Sequence, residues 1–241
     1  GHTPVIYEKG PQLGGAIIHS DYADFKWPLR DFKNFLIHQM EKRGIAVHLN
    51  TEATPEMIQA LDYDVVIAAT GATPMVLPIP GADTEKLFFA QETFAHPEKL
   101  GEHVVVIGGG EVGVEIGIYL GQKGHKATVL EMRDRLAADS TAIHYYSMLE
   151  EAWEKEPNFT GITGAKVAAI KEGCVEYTDK DGNIQSVPAD SVVMSAGMRP
   201  SKDLALSFYG CAKEFYMIGD CKKAATIQQA MRSAYSTAMR I

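Results

Sequence analysis

The segment 103–116, HVVVIGGGEVGVEI, constrains the fold more than any other part of the chain. An apolar, β-branched run leads into the glycine pattern G-x-G-x-x-G, formed by Gly108, Gly110 and Gly113, and a predicted helix, 111–124, follows it. A strand, a glycine turn and a helix in this order build the β-α unit of a parallel sheet that helices cover. The pattern therefore predicts an α/β fold.

Each glycine of this pattern has a physical reason. Gly108 permits the tight turn, Gly110 lets a pyrophosphate approach the backbone, and Gly113 lets the helix lie close to the sheet. The free N–H groups at the start of the helix, together with its dipole, bind phosphates. The pattern indicates a dinucleotide site. The alternative is a glycine-rich turn without a ligand.

Glu131 ends the next predicted strand, 126–130, close to the spacing of about 20 residues after the glycines that the motif requires. A carboxylate there accepts hydrogen bonds from the ribose 2′-OH and repels a 2′-phosphate, which favours NAD(H) over NADP(H). Two readings of the nearby Arg133 and Arg135 stay open: they soften this preference, or they are solvated loop charges. The predicted NAD-binding residues are Gly108, Gly109, Gly110, Glu111, Val112, Gly113, Glu131, Met132 and Arg133.

The first residues of the chain repeat part of this unit. GHTPVIYE (1–8) aligns without a gap on GHKATVLE (124–131), so that Glu8 falls on Glu131. Glu8 therefore predicts a second adenosine-ribose site at the end of a second parallel strand, which we expect to be an inner strand of its sheet. Because no glycine motif precedes it in the sequence, we expect the first strand, loop and helix of this copy to be missing. The alternative is a plain β-strand with a capping glutamate.

Alternating strand and helix patterns continue along the chain. From about residue 165 the sequence pattern changes to short strands joined by turns, which predicts a β-meander. Its clearest hairpin signal is DKDGN (179–183). The residues from 214 onward predict a strand, a Gly-Asp turn and a closing helix. The other predicted strands are 3–7, 45–49, 64–70 and 103–108, and a further helix is predicted at 31–44.

Four motifs in order resemble those of the two-dinucleotide-binding flavoprotein reductases, in which an NAD(P)H domain is inserted into an FAD domain. They are LGG (13–15), DVVIAATGATP (64–74), the glycine motif and FYMIGDC (215–221). In this resemblance Asp220 binds the ribitol side of FAD, and Ala69, Thr70 and Gly71 form the crossover between domains. The implied FAD-binding residues are Glu8, Lys9, Gly14, Gly15, Ala69, Thr70, Gly71, Gly219 and Asp220.

The resemblance also implies a domain organisation of two Rossmann-like dinucleotide-binding domains. Residues 1–76 plus 213–241 would form an FAD-binding-type domain that lacks its first βα unit. Residues 77–212 would form the inserted NAD(H)-binding domain, which carries the β-meander.

A narrower set of segments is similar to the C-terminal region of Old Yellow Enzyme-like NADH:flavin oxidoreductases, the group of 2,4-dienoyl-CoA reductase, trimethylamine dehydrogenase and bile-acid-type enoate reductases. The segments are LNTEATPE, VVVIGGGEVGVE, HYYSMLEEAWE, SAGMRP and FYMIGDCKKA. This similarity implies an N-terminal (β/α)8 barrel of the same full-length chain as a partner, carrying FMN and a 4Fe-4S cluster. Electrons would pass from NADH through FAD and the cluster to FMN and then to an unsaturated substrate, an enoate or enoyl-CoA. The three scattered cysteines of this sequence cannot supply the four ligands of such a cluster.

The expected function is an NADH-dependent flavin reductase module that passes hydride from NADH to FAD. Glu115 matches an acidic position that related reductases place near the nicotinamide, which implies that it positions the nicotinamide or the flavin. The alternative for Glu115 is a glutamate on a helix face that makes surface contacts. The alternative for the whole chain is a non-catalytic nucleotide-binding module. A disulfide reductase would need a C-x-x-C or C-x4-C pair, which the sequence lacks.

Charge and composition exclude other classes. A net charge of −8 without a basic run argues against nucleic-acid binding. No apolar stretch approaches the roughly 18 residues that a membrane span needs. Three cysteines argue against a disulfide framework and fit a cytoplasmic protein, and the histidines show no metal-ligand spacing. Self-association is left open.

Overall fold

The computed structural model describes residues 1–20, 22–140 and 142–241, and the chain forms two compact units. Unit 1 comprises Gly1–Thr73 and Met198–Ile241, and unit 2 comprises Pro74–Gly197. Unit 2 is therefore inserted into the sequence of unit 1. The chain returns to unit 1 earlier than the predicted passage between residues 212 and 213. The reason is that Ala205 and Cys211 lie in the apolar clusters of unit 1.

The elements alternate between strand and helix in both units. From the N-terminus to the end of the first part of unit 1 they are β1 (Val5–Tyr7), α1 (Ile17–Ser20), α2 (Trp27–Lys42), β2 (Ala46–His48), α3 (Pro55–Ala60), β3 (Val65–Ala68) and β4 (Ala72–Pro74). Unit 2 adds β5 (Leu87–Phe89), α4 (Ala90–Ala95), β6 (His103–Ile107), α5 (Glu111–Gln122), β7 (Lys126–Leu130), α6 (Ile143–Lys155), β8 (Phe159–Ile162), β9 (Lys166–Lys171), β10 (Cys174–Thr178), β11 (Ile184–Pro188) and β12 (Ser191–Met194). The second part of unit 1 contains β13 (Met198–Pro200), α7 (Lys202–Ser207), β14 (Glu214–Met217) and α8 (Ile227–Ala238).

A five-stranded parallel sheet in the order β5-β12-β6-β7-β8 forms the centre of unit 2. Its middle strand, β6, is a continuous apolar run in which Val104, Val105 and Val106 are fully buried. Such runs are typical of parallel strands, because both faces of the sheet are covered. The predicted α/β fold with a parallel, Rossmann-type sheet is confirmed.

Helix α5 packs against this sheet unusually closely. All of its residues from Gly113 to Gly121 are buried. A Cβ atom on Gly117 would lie 2.6 Å from side-chain atoms of both Val129 and Phe159, so only glycine allows this approach. The glycine-rich sequence of the helix therefore serves its close packing on β7 and β8.

The predicted β-meander is confirmed as the antiparallel sheet β9-β10-β11. Its hairpin turn is organised by Asp179, whose Oδ1 accepts hydrogen bonds from the backbone N–H groups of Asp181 and Asn183. Val175 and Tyr177 of β10 belong to the same apolar cluster as residues of the parallel sheet. The meander thus covers one face of unit 2.

Unit 1 contains two parallel strand pairs, β1 with β2 and β14 with β3, and β4 pairs with β13. The prediction that residues 3–7 open the chain with a parallel strand is confirmed in β1. The prediction also made this an inner strand, but within the described residues β1 pairs with β2 alone. The helix predicted at 31–44 begins earlier, at Trp27, because Pro28 suits the first turn of a helix. Among the described residues, no helix combines the length and apolarity that crossing a membrane requires.

Candidate dinucleotide-binding site

The turn between β6 and α5 requires two of its glycines for steric reasons. Gly108 has a φ of +103°, and a Cβ atom there would lie 2.4 Å from the carbonyl oxygen of Ser195. A Cβ atom on Gly113 would lie 1.8 Å from the carbonyl oxygen of Gly108. The first turn of α5 therefore rests directly on the loop. These are the steric reasons that the sequence motif implies for Gly108 and Gly113.

Glu131 follows β7 and is only 4% exposed. Its Oε2 accepts a hydrogen bond from Gly109 N–H at 2.8 Å, and its Oε1 accepts from Arg133 N–H at 2.8 Å and Arg133 Nε at 3.0 Å. Burial acts to raise the pKa of Glu131, but the hydrogen bonds from Arg133 and Gly109 outweigh it and lower the pKa below its ordinary value. The carboxylate is therefore ionised and joined to the glycine loop.

The residues after Glu131 take different roles. Arg133 is paired with Glu131, and its Nη2 lies 3.9 Å from Oδ1 of Asp139. Arg135 lies over the ring of Tyr146, 4.9 Å from its centroid. Both arginines thus combine a defined contact with an exposed side chain, as charges on a solvated loop do. Met132 is exposed as well.

The start of α5 is bonded to a residue that the sequence analysis missed. Gly110 is the N-cap and supplies no side chain, and the N–H of Glu111 donates to Oδ1 of Asp139 at 3.1 Å. Val112 is exposed in the first turn. No motif marks Asp139, because it reaches the helix from the irregular segment that follows β7. Only its position in the tertiary structure identifies it.

Glu115 is buried, with 3% exposure, and accepts a hydrogen bond from the hydroxyl of Tyr145 on α6. Burial first, and the carboxylate of Glu115 second, raise the pKa of Tyr145, so the hydroxyl stays protonated and can donate. The alternative of a surface contact for Glu115 is wrong. A buried carboxylate on the helix that begins at the glycine loop is costly unless it is hydrogen-bonded.

In unit 1, the predicted FAD residues follow the carboxyl ends of parallel strands. Glu8 comes directly after β1, and its Oε1 accepts from Gly10 N–H at 2.7 Å. In the β3–β14 pair, Ala68 is in register with Met217, so Ala69 and Gly219 follow neighbouring strands. This edge of a parallel sheet is where ligands of α/β proteins bind.

The crossover and Gly-Asp motifs have defined local structure. The hydroxyl of Thr70 donates to the carbonyl oxygen of Ser201 at 3.4 Å. Oδ1 of Asp220 accepts from Ala225 N–H at 3.3 Å. Burial raises the pKa of Asp220 above its ordinary value, against the lowering effect of that hydrogen bond. Lys9 and Ala69 are exposed. Positive φ angles occur at Gly14 (+130°), Gly15 (+53°), Gly71 (+69°) and Gly219 (+62°).

The match to known families follows this geometry. Residues 56–234 match the family model of the pyridine nucleotide-disulphide oxidoreductases. The chain belongs to this family. Its three cysteines, Cys174, Cys211 and Cys221, are free and include no C-x-x-C or C-x4-C pair, so family membership brings no redox dithiol here.

Individual members of the pyridine nucleotide-disulphide oxidoreductases are similar over the whole chain. Bilirubin reductase of Mediterraneibacter gnavus (strain CC55_001C) is 32% identical over 239 residues, which cover 99% of this chain and 37% of that protein. Cinnamate reductase of Clostridium sporogenes is 31% identical over 243 residues, covering 100% of this chain and 36% of that protein. A solved structure of 2-naphthoyl-CoA reductase superposes with a TM-score of 0.95 at 29% identity, covering 100% of this chain and 36% of that one. The chain thus spans little more than a third of the length of these relatives.

These comparisons confirm the resemblance to Old Yellow Enzyme-like flavoprotein reductases and the oxidoreductase class. They also confirm FAD and a pyridine nucleotide as the cofactors of the family. The residues of unit 2 fit a dinucleotide, because the tight turn at Gly108 and Gly113 places the start of α5 against the end of β6, and the carboxylate of Glu131 is hydrogen-bonded to the same loop. In unit 1 the carboxylates of Glu8 and Asp220 follow the parallel strands β1 and β14, and carboxylates are acceptors of the kind that the hydroxyl groups of a ribose or a ribitol require.

Proposed function

We propose that this chain is the NADH-dependent flavin reductase part of a larger oxidoreductase. Unit 2 binds NADH, unit 1 binds FAD, and a hydride passes from the nicotinamide to the flavin. The two cofactors supply the redox chemistry, so the protein has to bind and orient them and exclude water. The observation that carries the proposal is the buried, ionised Glu131, bonded to a glycine turn that only glycine can form.

Glu131 still has acceptor capacity for a ribose hydroxyl. A carboxylate offers about four lone-pair sites, and the three hydrogen bonds from Gly109 and Arg133 leave one of them. The negative charge repels a 2′-phosphate, which supports a preference for NADH over NADPH. Arg133 is paired with Oε1 of Glu131, so the positive charge of Arg133 is already partly neutralised. Arg133 therefore attracts a 2′-phosphate only weakly and reduces the preference for NADH only slightly.

Glu115 orients the nicotinamide or the flavin in this proposal. It lies one turn beyond the phosphate-binding start of α5, and Tyr145 holds its carboxylate in place. The predicted NAD-binding and FAD-binding residues keep their assignments as proposals, with Asp220 on the ribitol side of FAD.

The electron acceptor beyond FAD lies outside these residues. Bilirubin, cinnamate and naphthoyl-CoA, after which the relatives are named, are all conjugated compounds. We therefore propose that the reduced flavin feeds an N-terminal barrel with FMN and a 4Fe-4S cluster, which reduces an unsaturated substrate of the enoate or enoyl-CoA type.

The test is spectroscopic. The protein is saturated with FAD, freed of unbound flavin and titrated anaerobically with NADH. Bleaching of the yellow flavin band with a stoichiometry of one NADH per flavin supports the reductase. A colourless protein that still binds NADH would instead identify a non-catalytic nucleotide-binding module.

A further inference from the structure

A carboxylate contacts the start of α5, the end of the helix at which the proposed NADH site would bind phosphate. The N–H of Glu111 donates to Oδ1 of Asp139 at 3.1 Å. A Cβ atom on Gly110 would lie 3.0 Å from Oδ2 of Asp139, so the carboxylate lies against the backbone of the glycine loop. An anion accepting an N–H at the start of a twelve-residue helix is the arrangement in which such helices bind phosphate. Asp139 therefore stands where a pyrophosphate oxygen would be.

The segment that carries Asp139 is fastened to the same loop. The N–H of Ala137 donates to the carbonyl oxygen of Gly109 at 2.7 Å, and a Cβ atom on Gly109 would lie 2.8 Å from Cδ2 of Leu136. Leu136 and Ala137 are buried, whereas the side chain of Asp139 is 55% exposed. The backbone of this segment is thus anchored by buried residues, whereas the carboxylate of Asp139 is in contact with solvent.

Arg133 joins the two acidic residues of the site. It is hydrogen-bonded to Oε1 of Glu131, and its Nη2 lies 3.9 Å from Oδ1 of Asp139. The carboxylate at the ribose position and the carboxylate at the phosphate position are therefore bridged by one cation. Asp139 therefore contacts two groups that would attract a pyrophosphate, the start of α5 and the guanidinium of Arg133.

We propose that Asp139 is an internal competitor for the pyrophosphate and thereby sets the affinity of the site for NADH. NADH has to displace its carboxylate from Glu111 N–H and from Arg133 before the phosphates can bind. The inference rests on the proposed function of unit 2 as the NADH site. It implies that Asp139 caps α5 only in the free protein and that the phosphates replace it as the cap in the complex.

The experiment compares Asp139→Ala with Asp134→Ala in protein saturated with FAD. Asp134 is exposed in the same segment, so its removal changes the net charge equally without touching α5. Binding of NADH, ADP and adenosine is measured by calorimetric titration. Asp139→Ala should increase the affinity for NADH and ADP by roughly three- to tenfold, the range expected for a helix-capping contact, and leave the affinity for adenosine unchanged. Asp134→Ala should change all three by less than about twofold, as expected for a screened surface charge.

A second readout separates competition from general loosening. Loss of a cap should lower the melting temperature of free Asp139→Ala, while saturating NADH should raise it by more than in the wild type. Asp139→Asn keeps a hydrogen-bond acceptor but no charge, so its affinities for NADH and ADP should lie between those of the wild type and Asp139→Ala. If the alanine variant does not fold, these affinities test the inference in its place.

If the wild-type protein binds NADH, three results would overturn the inference alone. Equal changes in NADH and ADP affinity in the two alanine variants would show that only the overall charge matters. Weaker ADP binding in Asp139→Ala would make Asp139 a supporting residue. If Asp139→Ala increased the affinity for adenosine as much as that for ADP, the effect would not depend on the phosphates. A wild-type protein that binds neither NADH nor ADP would overturn the proposed function as well, which is a different outcome from wild-type binding that Asp139→Ala leaves unchanged.

Discussion

The surroundings of Glu131 in unit 2 and of Glu8 in unit 1 have the same backbone plan. Glu131 N–H donates to Ile162 on the neighbouring parallel strand at 2.9 Å, and its carbonyl oxygen accepts from Ala165 at 2.8 Å. Glu8 N–H donates to His48 at 2.9 Å, and its carbonyl oxygen accepts from Thr51 at 2.9 Å. In both cases the residue that accepts from the glutamate and the residue that donates to it are separated by the same number of positions.

The two carboxylates also begin alike and then differ. Each accepts a hydrogen bond from the N–H group two residues further on, Gly10 for Glu8 and Arg133 for Glu131. Glu131 alone is buried and bonded to a glycine loop, through Gly109. The reason is that β7 lies between β6 and β8, whereas β1 pairs only with β2 in the described part of the chain. The parallel strand pair is therefore enough to place the acidic residue, and in unit 2 the neighbouring strand β6 with helix α5 adds the glycine loop that Glu131 contacts.

The largest expected effect concerns the glycine turn. Gly113→Ala should destabilise unit 2 by about 3 kcal/mol and abolish NADH binding, because its Cβ would overlap the carbonyl oxygen of Gly108. Gly15→Ala in unit 1 meets no atom within 4 Å and should cost only about 1 kcal/mol for its φ of +53°. Urea unfolding of both variants provides the comparison. Similar losses would show that the two loops are equally constrained.

The next effect separates the two glutamates. Glu131→Gln should weaken NADH binding by about 2 kcal/mol and narrow the gap between NADH and NADPH, because the charge that orders the loop and repels a 2′-phosphate is lost. Glu8→Gln should leave NADH binding unchanged and lower the affinity for FAD. Fluorescence titrations with each cofactor measure both. An unaltered NADH preference in Glu131→Gln would remove the assignment of Glu131.

The neighbouring tyrosines Tyr145 and Tyr146 of α6, both half-buried, offer a smaller, matched contrast within unit 2. Tyr145→Phe should cost about 1–2 kcal/mol of stability and slow the reduction of flavin by NADH, since buried Glu115 loses a donor. Tyr146→Phe removes only a 3.4 Å contact to Glu150 on the same helix and should cost less than about 0.5 kcal/mol. Thermal unfolding and stopped-flow reduction test this pair. Equal behaviour would make the Glu115 contact unimportant.

The smallest effect is on pH dependence, and it has opposite signs in the two units. The folded pKa of Glu131 is lowered, so its stabilisation is present above the ordinary value of about 4.3 and is lost as pH falls through the folded pKa. The folded pKa of Asp220 is raised by burial, so ionised Asp220 destabilises the fold, and this cost disappears as pH falls. Stability curves between about pH 6 and 3 for Glu131→Gln and Asp220→Asn should therefore deviate from the wild type in opposite directions. Deviations of the same sign would contradict these environments.

Much of this fold could be predicted because its signals are local. A strand, a glycine turn and a helix occupy consecutive residues, and the hairpin at 179–183 depends on Asp179 and its immediate neighbours. The place where the chain returns to unit 1 was harder to predict from the sequence. The predicted passage after residue 212 missed it, because Ala205 joins a cluster with Ala68, far away in sequence.

The sequence by itself determined the order of strands and helices, the sites where only glycine is tolerated, and the acidic residues that end β1 and β7. These follow from steric exclusion and hydrophobic periodicity, which act over a few residues. Only the tertiary structure decided that Asp139 reaches the start of α5, that Tyr145 meets Glu115 and that Arg133 bridges two carboxylates. The partners in such contacts are chosen by how the chain packs, which no short motif encodes.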